Sequence, residues 1–231
     1  MTDASIELAQ LIEAASGFVI PERGRAQLMA LARERATALG LADATDYMEL
    51  LRGHPDSKEW RMLLGRITIK ESCLFRGPSQ FEALARAILP DLAARREGGG
   101  LRIWCAGCAR GEEATTLAIV VADHPACREL AWSILATDVD EGALADAREG
   151  RYGPRAVAGV PPAVLARHFT ERGGFFEFDP SLRARITYRR LNLVEPRLEP
   201  PGAPFDLVFL RNVLIYFRPE LQRRVVAAVE R

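Results

Sequence analysis

With 231 residues, 48% of them hydrophobic and 27% charged, the chain has room for one large domain or a small domain beside a medium one, and its composition excludes disordered, collagen-like and coiled-coil architectures. Lysine plus arginine and aspartate plus glutamate each number 31, so no global field draws in nucleic acid or an anionic membrane, and a charged partner must be met by a local patch. No apolar run approaches the roughly 20 residues of a membrane span, the N-terminus lacks the basic-then-apolar signature of a signal peptide, and four cysteines in a chain this long do not make a disulfide scaffold; a cytoplasmic protein without membrane insertion is expected.

From Ser5 to about Arg96 apolar residues recur at three and four, which predicts helices throughout. Leu8, Leu11, Ile12 and Ala15 form one stripe that Gly17 ends. Pro21 opens a second helix with Leu28, Leu31, Ala32 and Leu39 inward and Gly40 at its close. Its Arg23, Arg25, Arg33 and Arg35 suggest a basic surface for an acidic partner, or a plain solvated face. Asp43 or Thr45 can cap a third helix carrying Tyr47, Leu50 and Leu51, and Asp56 or Ser57 a fourth with Trp60, Leu63, Leu64 and Ile67. A fifth runs from about Pro78 with Phe81, Leu84, Ile88 and Leu92 inward.

Gly98-Gly99-Gly100 then changes the pattern. Strand-like runs at Leu101–Cys105, Ser133–Thr137, Ile186–Leu191 and Phe205–Leu210 alternate with helical stretches near 112–123, 141–148 and 219–229, the signature of an α/β fold with a doubly wound parallel sheet. Phe175-Phe176-Glu177-Phe178 after Gly173-Gly174 predicts a hairpin, a small β excursion over about 168–189. The expected organisation is a helical domain over 1–77, a linker helix and glycine-rich linker over 78–100, and a Rossmann-like domain over 101–231.

The first strand runs into Ala106-Gly107-Cys108-Ala109-Arg110-Gly111-Glu112-Glu113, where small residues let a cofactor approach the backbone at the carboxyl end of the sheet. The glycine spacing and the two carboxylates disfavour a pyrophosphate and suit a positively charged cofactor such as S-adenosylmethionine. Asp138, at the tip of the second strand, fits a ribose diol, whereas Asp138 or Asp140 can equally cap the helix that follows. Arg211 and Asn212 end the fourth strand at the same rim. The Asn/Asp-Pro-Pro-aromatic motif of N6-adenine methyltransferases is absent there, which argues against a DNA-base substrate. Cys105-x-x-Cys108 and His124-x-x-Cys127 have zinc-like spacing, but the helix between them holds the pairs roughly 15–20 Å apart at 1.5 Å per residue, so no metal is expected.

Together these segments resemble the chemotaxis receptor (protein-glutamate) O-methyltransferases, the CheR family, over almost the whole chain. The likeness rests on Thr68-Ile69-Lys70-Glu71-Ser72-Cys73-Leu74-Phe75-Arg76, the loop at 106–113, Ala-Thr-Asp-Val-Asp at 136–140, Leu-Asn-Leu at 191–193 and Arg-Asn-Val-Leu-Ile-Tyr-Phe at 211–217. The family usually has two aromatics where Leu74-Phe75 stands, a threonine for Ser72, and a Pro-Tyr-Ser-like run where Ala114-Thr115-Thr116 stands; Leu74 is expected to loosen the wall around the substrate.

The resemblance implies that Ser72, Arg76, Gly107, Glu113, Asp138, Asn192, Leu193, Arg211 and Asn212 contact S-adenosylmethionine, which leaves as S-adenosylhomocysteine. It implies that Arg76 and Tyr216 border the reacting carboxylate, and that the partner is the cytoplasmic helical region of a methyl-accepting chemotaxis-type receptor. A regulatory module that binds the cofactor without turnover, or a methyltransferase with another substrate, is the alternative. A sheet of this class has seven strands, three of them after the helix that follows Tyr216, yet only four precede Arg231. The expectation is that the end of the domain is missing and that Phe205–Leu210 forms an open edge.

Overall fold

A computed structural model describes residues 2–54, 57–68, 72–95, 100–195, 197–202 and 204–230. In chain order the helices α1 (Thr2–Ser16), α2 (Glu22–Ala38), α3 (Ala44–Gly53) and α4 (Lys58–Ile67) come first. Next are α5 (Pro78–Ala83), a π-helical turn (Leu84–Ile88) and α6 (Leu89–Ala94), which follow one another without a break. The remainder is β1 (Leu101–Ala106), α7 (Glu112–Asp123), β2 (Trp132–Asp138), α8 (Glu141–Glu149), β3 (Arg151–Tyr152), α9 (Pro154–Val157), α10 (Pro162–His168), β4 (Phe169–Arg172), β5 (Phe175–Phe178), α11 (Pro180–Arg183), β6 (Ile186–Arg190), β7 (Leu207–Leu210) and α12 (Pro219–Val229). The chain divides into two compact units, one of residues 1–68, 192–198 and 212–231 and the other of residues 69–191 and 199–211.

In the first unit most of the helical stripes pack inward, with Leu8, Ile12, Tyr47, Leu51 and Leu63 fully buried, whereas Leu39, expected inward just past α2, is exposed. Asp43 caps α3 by accepting from the Thr45 and Asp46 N–H groups, and Ser57 caps α4 by accepting from Trp60 N–H; Asp56, the other candidate, lies outside the described residues. The Trp60 indole donates to the Leu51 carbonyl at 2.7 Å, joining α3 to α4. Arg35 corrects the basic face expected on α2. Its guanidinium turns inward and grips Glu59 with two bonds of 2.8 and 2.9 Å, and the buried Tyr47 hydroxyl donates to the same carboxylate at 2.8 Å. Gly17, at φ +74°, lies so close to Leu221 and Val194 that a Cβ would fall 2.5 and 2.7 Å from their side chains, so only glycine ends α1 against that surface.

The second unit is built on a four-stranded parallel sheet in the order β6-β2-β1-β7. Ile103, Cys105, Ile134, Ala136, Ile186 and Tyr188 lie buried in one cluster with Leu117 and Ile119 of α7 and Leu144 of α8. Phe81, Leu84 and Leu89 are part of the same core. So is Leu74, which is 1% exposed and donates its N–H to Ala156 at 2.9 Å; it packs inside and does not line an open wall.

The β excursion begins earlier in the chain than its sequence range suggests. β5 lies between β3 and β4 in a three-stranded antiparallel sheet spanning 151–178, whereas Ile186–Arg190 runs in the large sheet. Gly173 and Gly174, at φ +57° and +77°, form the hairpin tip, and the exposed Phe175 ring beside it carries the Arg151 guanidinium 4.8 Å above its centre.

Candidate cofactor and active site

The loop between β1 and α7 bends back over the end of β2. Gly107 and Gly111 take φ +79° and +85°, values that side chains rarely adopt, and Ala109 between them is held at +46°. The Gly107 and Cys108 N–H groups donate to the Thr137 carbonyl at 2.7 and 2.9 Å. A Cβ at Gly111 would come within 2.9 Å of both Ala147 and the Tyr188 hydroxyl, which fixes that position as glycine. The first turn of α7 starts directly behind the loop.

Asp138 and Asp140 divide the two tasks their sequence position suggested. Asp140 is the cap of α8, its Oδ1 accepting from Gly142 and Ala143 N–H at 2.9 and 3.1 Å. Asp138 braces the loop: Oδ2 accepts from Ala109 N–H and Oδ1 from Asp140 N–H, both at 2.9 Å. Each oxygen keeps a lone pair for a diol. Burial pushes the Asp138 carboxyl up from the usual carboxylate range, against the pull of those two N–H groups.

The two glutamates also differ. Glu113 forms an ion pair with Arg211 at 2.8 Å, each side chain 14% exposed, and Glu113 Oε1 accepts from the buried Cys105 thiol at 3.6 Å. Burial outweighs the nearby guanidinium and pushes the carboxyl up to about 7. Glu112 is 4% exposed; burial raises its carboxyl as well, against the hydrogen bond from the Ser72 hydroxyl, and among the described residues its Oε2 has no partner.

Arg211 joins Glu113 to the segment that carries Arg76. Its guanidinium lies 5.2 and 5.4 Å from the ring centres of Phe81 and Phe209, and its Nη2 donates to the Arg76 carbonyl at 2.7 Å. The next residue, Gly77, has φ +68°, and a Cβ there would meet Arg211 Nη2 at 2.7 Å. Thr116 Oγ1 accepts from Phe75 N–H at 3.0 Å, and Phe75 takes φ +58°. The segment is thus pinned to α7 and to the end of β7 while the Arg76 side chain stays exposed.

Ser72, Arg76, Gly107, Glu113, Asp138 and Arg211 therefore share one unit, in which Arg211 bonds both Glu113 and the Arg76 carbonyl. Asn192, Leu193, Asn212 and Tyr216 belong to the other. There the Asn192 amide donates to the Ala15 carbonyl at 2.7 Å, Leu193 is buried, Asn212 is exposed at φ +57°, and the Tyr216 ring stacks on Phe18 with centres 4.6 Å apart. The sequence reading missed Cys105, Thr116 and the Phe81–Phe209 pair as neighbours of the site. Their signal was only apolar or small-residue periodicity, which does not mark a residue as adjoining a cofactor.

Residues 70–231, more than half of the chain, match the family model described as CheR methyltransferase, SAM binding domain. The chain belongs to the CheR methyltransferase family. Its cofactor is therefore S-adenosylmethionine, and the acidic first turn of α7, with burial raising both carboxyls and one oxygen of Glu112 left without a partner, fits a group that carries positive charge.

Among CheR relatives, the chain is 31% identical over 224 residues to the chemotaxis protein methyltransferase of Salmonella typhimurium, covering 95% of this chain and 75% of that protein. It is 30% identical over 222 residues to the probable biofilm formation methyltransferase WspC of Pseudomonas aeruginosa, covering 96% and 52%. It is 40% identical over 187 residues to an uncharacterized 104.1 kDa protein of Rhodobacter capsulatus, covering 80% of this chain and 19% of that protein. The chain thus spans about a fifth, a half or three quarters of the relatives it matches.

Proposed function

We propose that this chain transfers the methyl group of S-adenosylmethionine to the side-chain carboxylate of glutamates on chemotaxis-type receptors, forming glutamyl methyl esters. The observation that carries the reading is the family match over residues 70–231, which takes in a glycine loop backed by two carboxyls; the name of the Salmonella typhimurium relative, chemotaxis protein methyltransferase, supports a protein of chemotaxis as substrate. The sequence division into a helical module (1–77), a linker (78–100) and a methyltransferase module (101–231) belongs to this reading, as do the receptor's cytoplasmic helical region as the target and a cytoplasmic location.

S-adenosylmethionine, when bound, supplies a methyl group on a cationic sulfur. Gly107 gives close approach to the backbone, Asp138 accepts from the ribose hydroxyls, Ser72 and Glu113 offer polar contacts, and Arg211 holds Glu113 and the Arg76 backbone in place. The acceptor glutamate, with a pKa near 4.3, is already ionised at neutral pH, so the chain needs no general base. Its work is orientation and cancellation of charge around the nucleophile, and Arg76 is the residue for it. The roles that their motifs imply for Asn192, Leu193, Asn212 and Tyr216 are tested by their own substitutions.

The decisive assay measures base-labile label passed from methyl-labelled cofactor to receptor-containing membranes. Label released by mild alkali is expected; cofactor binding without transfer would leave a non-catalytic module instead.

A further inference from the structure

Between residues 148 and 190 the chain carries nine arginines against four acidic residues, an excess of five in a sequence whose charges balance as a whole. Most of these arginines are engaged. Arg148 bonds Glu141 and also donates to the Tyr188 carbonyl at 3.3 Å; Arg151 and Arg172 share Glu177; Arg167 pairs with Asp123. Arg183 donates to the Glu149 carbonyl, and Arg185 lies 4.6 Å above the Trp132 ring. Among the described residues, no carboxylate lies within ion-pair distance of Arg189 or Arg190, and both side chains are exposed.

Their place in the sheet gives that pair a use. Among the described residues β6 has a neighbour on one side only, and its buried Ile186 and Tyr188 fix its register. Arg189 pairs with Thr137 and Arg190 with Asp138, so the two arginines end the edge strand, and the Arg190 backbone runs one strand spacing, about 4.8 Å, from that of Asp138, whose carboxylate braces the glycine loop. Guarding the edge against other strands does not require them, because Arg148 already covers the Tyr188 carbonyl. Consecutive strand residues point to opposite faces, so the two guanidiniums, without an ion pair among the described residues, flank the rim of the candidate site from either face of the edge strand, where the large sheet presents its carboxyl ends.

We infer that Arg189 and Arg190, reaching out from the two faces of the edge strand, flank a docking site for an acidic stretch of the polypeptide substrate beside the acceptor glutamate. The inference rests on the proposed function: a polypeptide that offers glutamates for esterification is anionic before it reacts, and exposed arginines one strand from Asp138 meet it without occupying the cofactor loop. Contacts of this kind act on encounter and on the salt dependence of binding more than on the chemical step.

The test uses the full chain with the paired substitutions Arg189→Glu/Arg190→Glu, Arg189→Gln/Arg190→Gln and Arg189→Lys/Arg190→Lys. Steady-state methyl transfer to receptor-containing membranes is measured across a range of salt, with cofactor affinity by calorimetry and thermal melts as controls. The glutamate pair is expected to raise KM for receptor about tenfold and the glutamine pair about threefold, with kcat and cofactor affinity within about twofold of the parent and the salt dependence of KM flattened. The lysine pair should behave like the parent. Unchanged KM and salt dependence in the glutamate pair overturns the inference, as does aggregation with unchanged KM, which would assign the arginines to edge protection. Loss of cofactor affinity alongside KM also overturns it, assigning them to the cofactor site. If the parent chain binds cofactor but labels no receptor, the proposed function fails instead, so the two failures are distinct.

Discussion

The Glu113 carboxyl offers a quantitative test of the site's electrostatics. Its pKa rises from 4.5 in the unfolded chain to about 7 in the folded protein, burial outweighing the Arg211 guanidinium 2.8 Å away. A raised carboxyl holds its proton more tightly in the folded state, so its stabilising contribution is fully present below pH 4.5 and lost as pH rises through 7. The difference between the two values converts to about 3 kcal/mol. Glu113→Gln approximates the protonated carboxyl at every pH. Urea unfolding at intervals from pH 5 to 8 should therefore find the variant close to the parent at pH 5 and about 3 kcal/mol more stable at pH 8. Cofactor affinity should move the other way, weakening by about 1.5–3 kcal/mol as a charge-assisted contact is lost. Calorimetry near pH 7 in two buffers of different ionisation enthalpy should show the parent releasing a proton as it binds S-adenosylmethionine, and the variant releasing none from this group. Parallel stability curves for parent and variant between pH 5 and 8 would refute the electrostatic argument. An altered stability slope with unchanged cofactor affinity would remove Glu113 from the cofactor contacts while leaving its burial intact.

Other substitutions separate structure from chemistry. Asp138→Ala leaves the Ala109 and Asp140 N–H groups without their acceptor and should cost about 1–3 kcal/mol in urea unfolding and weaken cofactor binding; Asp138→Asn, which keeps one oxygen, should fall between. Glu59→Ala strips the buried Tyr47 hydroxyl and the Arg35 guanidinium of a shared partner and should cost about 2–4 kcal/mol, with no effect on cofactor affinity per folded molecule. Because Arg35 holds the Glu59 carboxyl below its ordinary 4.5, the parent's share of stability from this pair is present above that value and should fade as pH drops through the lowered one. Arg76→Ala should keep the melting temperature, since the side chain is exposed, yet lose methyl transfer; Arg76→Lys should not restore it, because an ammonium lacks the planar fork that bridges two oxygens.

Periodicity made most of the architecture legible. Alternating strand and helix patterns located β1, β2, β6 and β7, and the helical stretches near 112–123, 141–148 and 219–229 coincide with α7, α8 and α12 to within a residue. The readings that failed depended on distant or very short partners. Arg35 reads as surface because nothing local announces Glu59, 24 residues away. The third strand of the small sheet is only Arg151-Tyr152, too short for any alternation to register. At the site, residue types marked the glycine loop and the acidic residues, but which of Asp138 and Asp140 caps α8 was decided by loop geometry. The contrast between Glu112, bonded to Ser72, and Glu113, paired with Arg211, follows from the roughly 100° that separates consecutive positions around a helix and has no signature in two adjacent identical letters.

The π-helical turn at Leu84–Ile88 has a consequence for how this chain tolerates changes of length. Such a turn fits one more residue than an α-helix into the same rise, so the helix run from Pro78 to Ala94 carries a spare residue in its middle. Leu84 and Leu89 are both buried although five positions apart, and Arg86 and Ala87 between them are exposed. Deleting Arg86 or Ala87 would return the turn to α geometry and bring the two leucines to a four-residue spacing, with both still facing the core. Phe81 would then keep its stacking on Phe209, 5.4 Å away, and Arg211 its aromatic bed. A deletion inside α5 or α6 has no such slack and would turn one flank by about 100° relative to the other. Indels in this stretch should therefore be accepted at one turn of the helix and rejected on both sides of it.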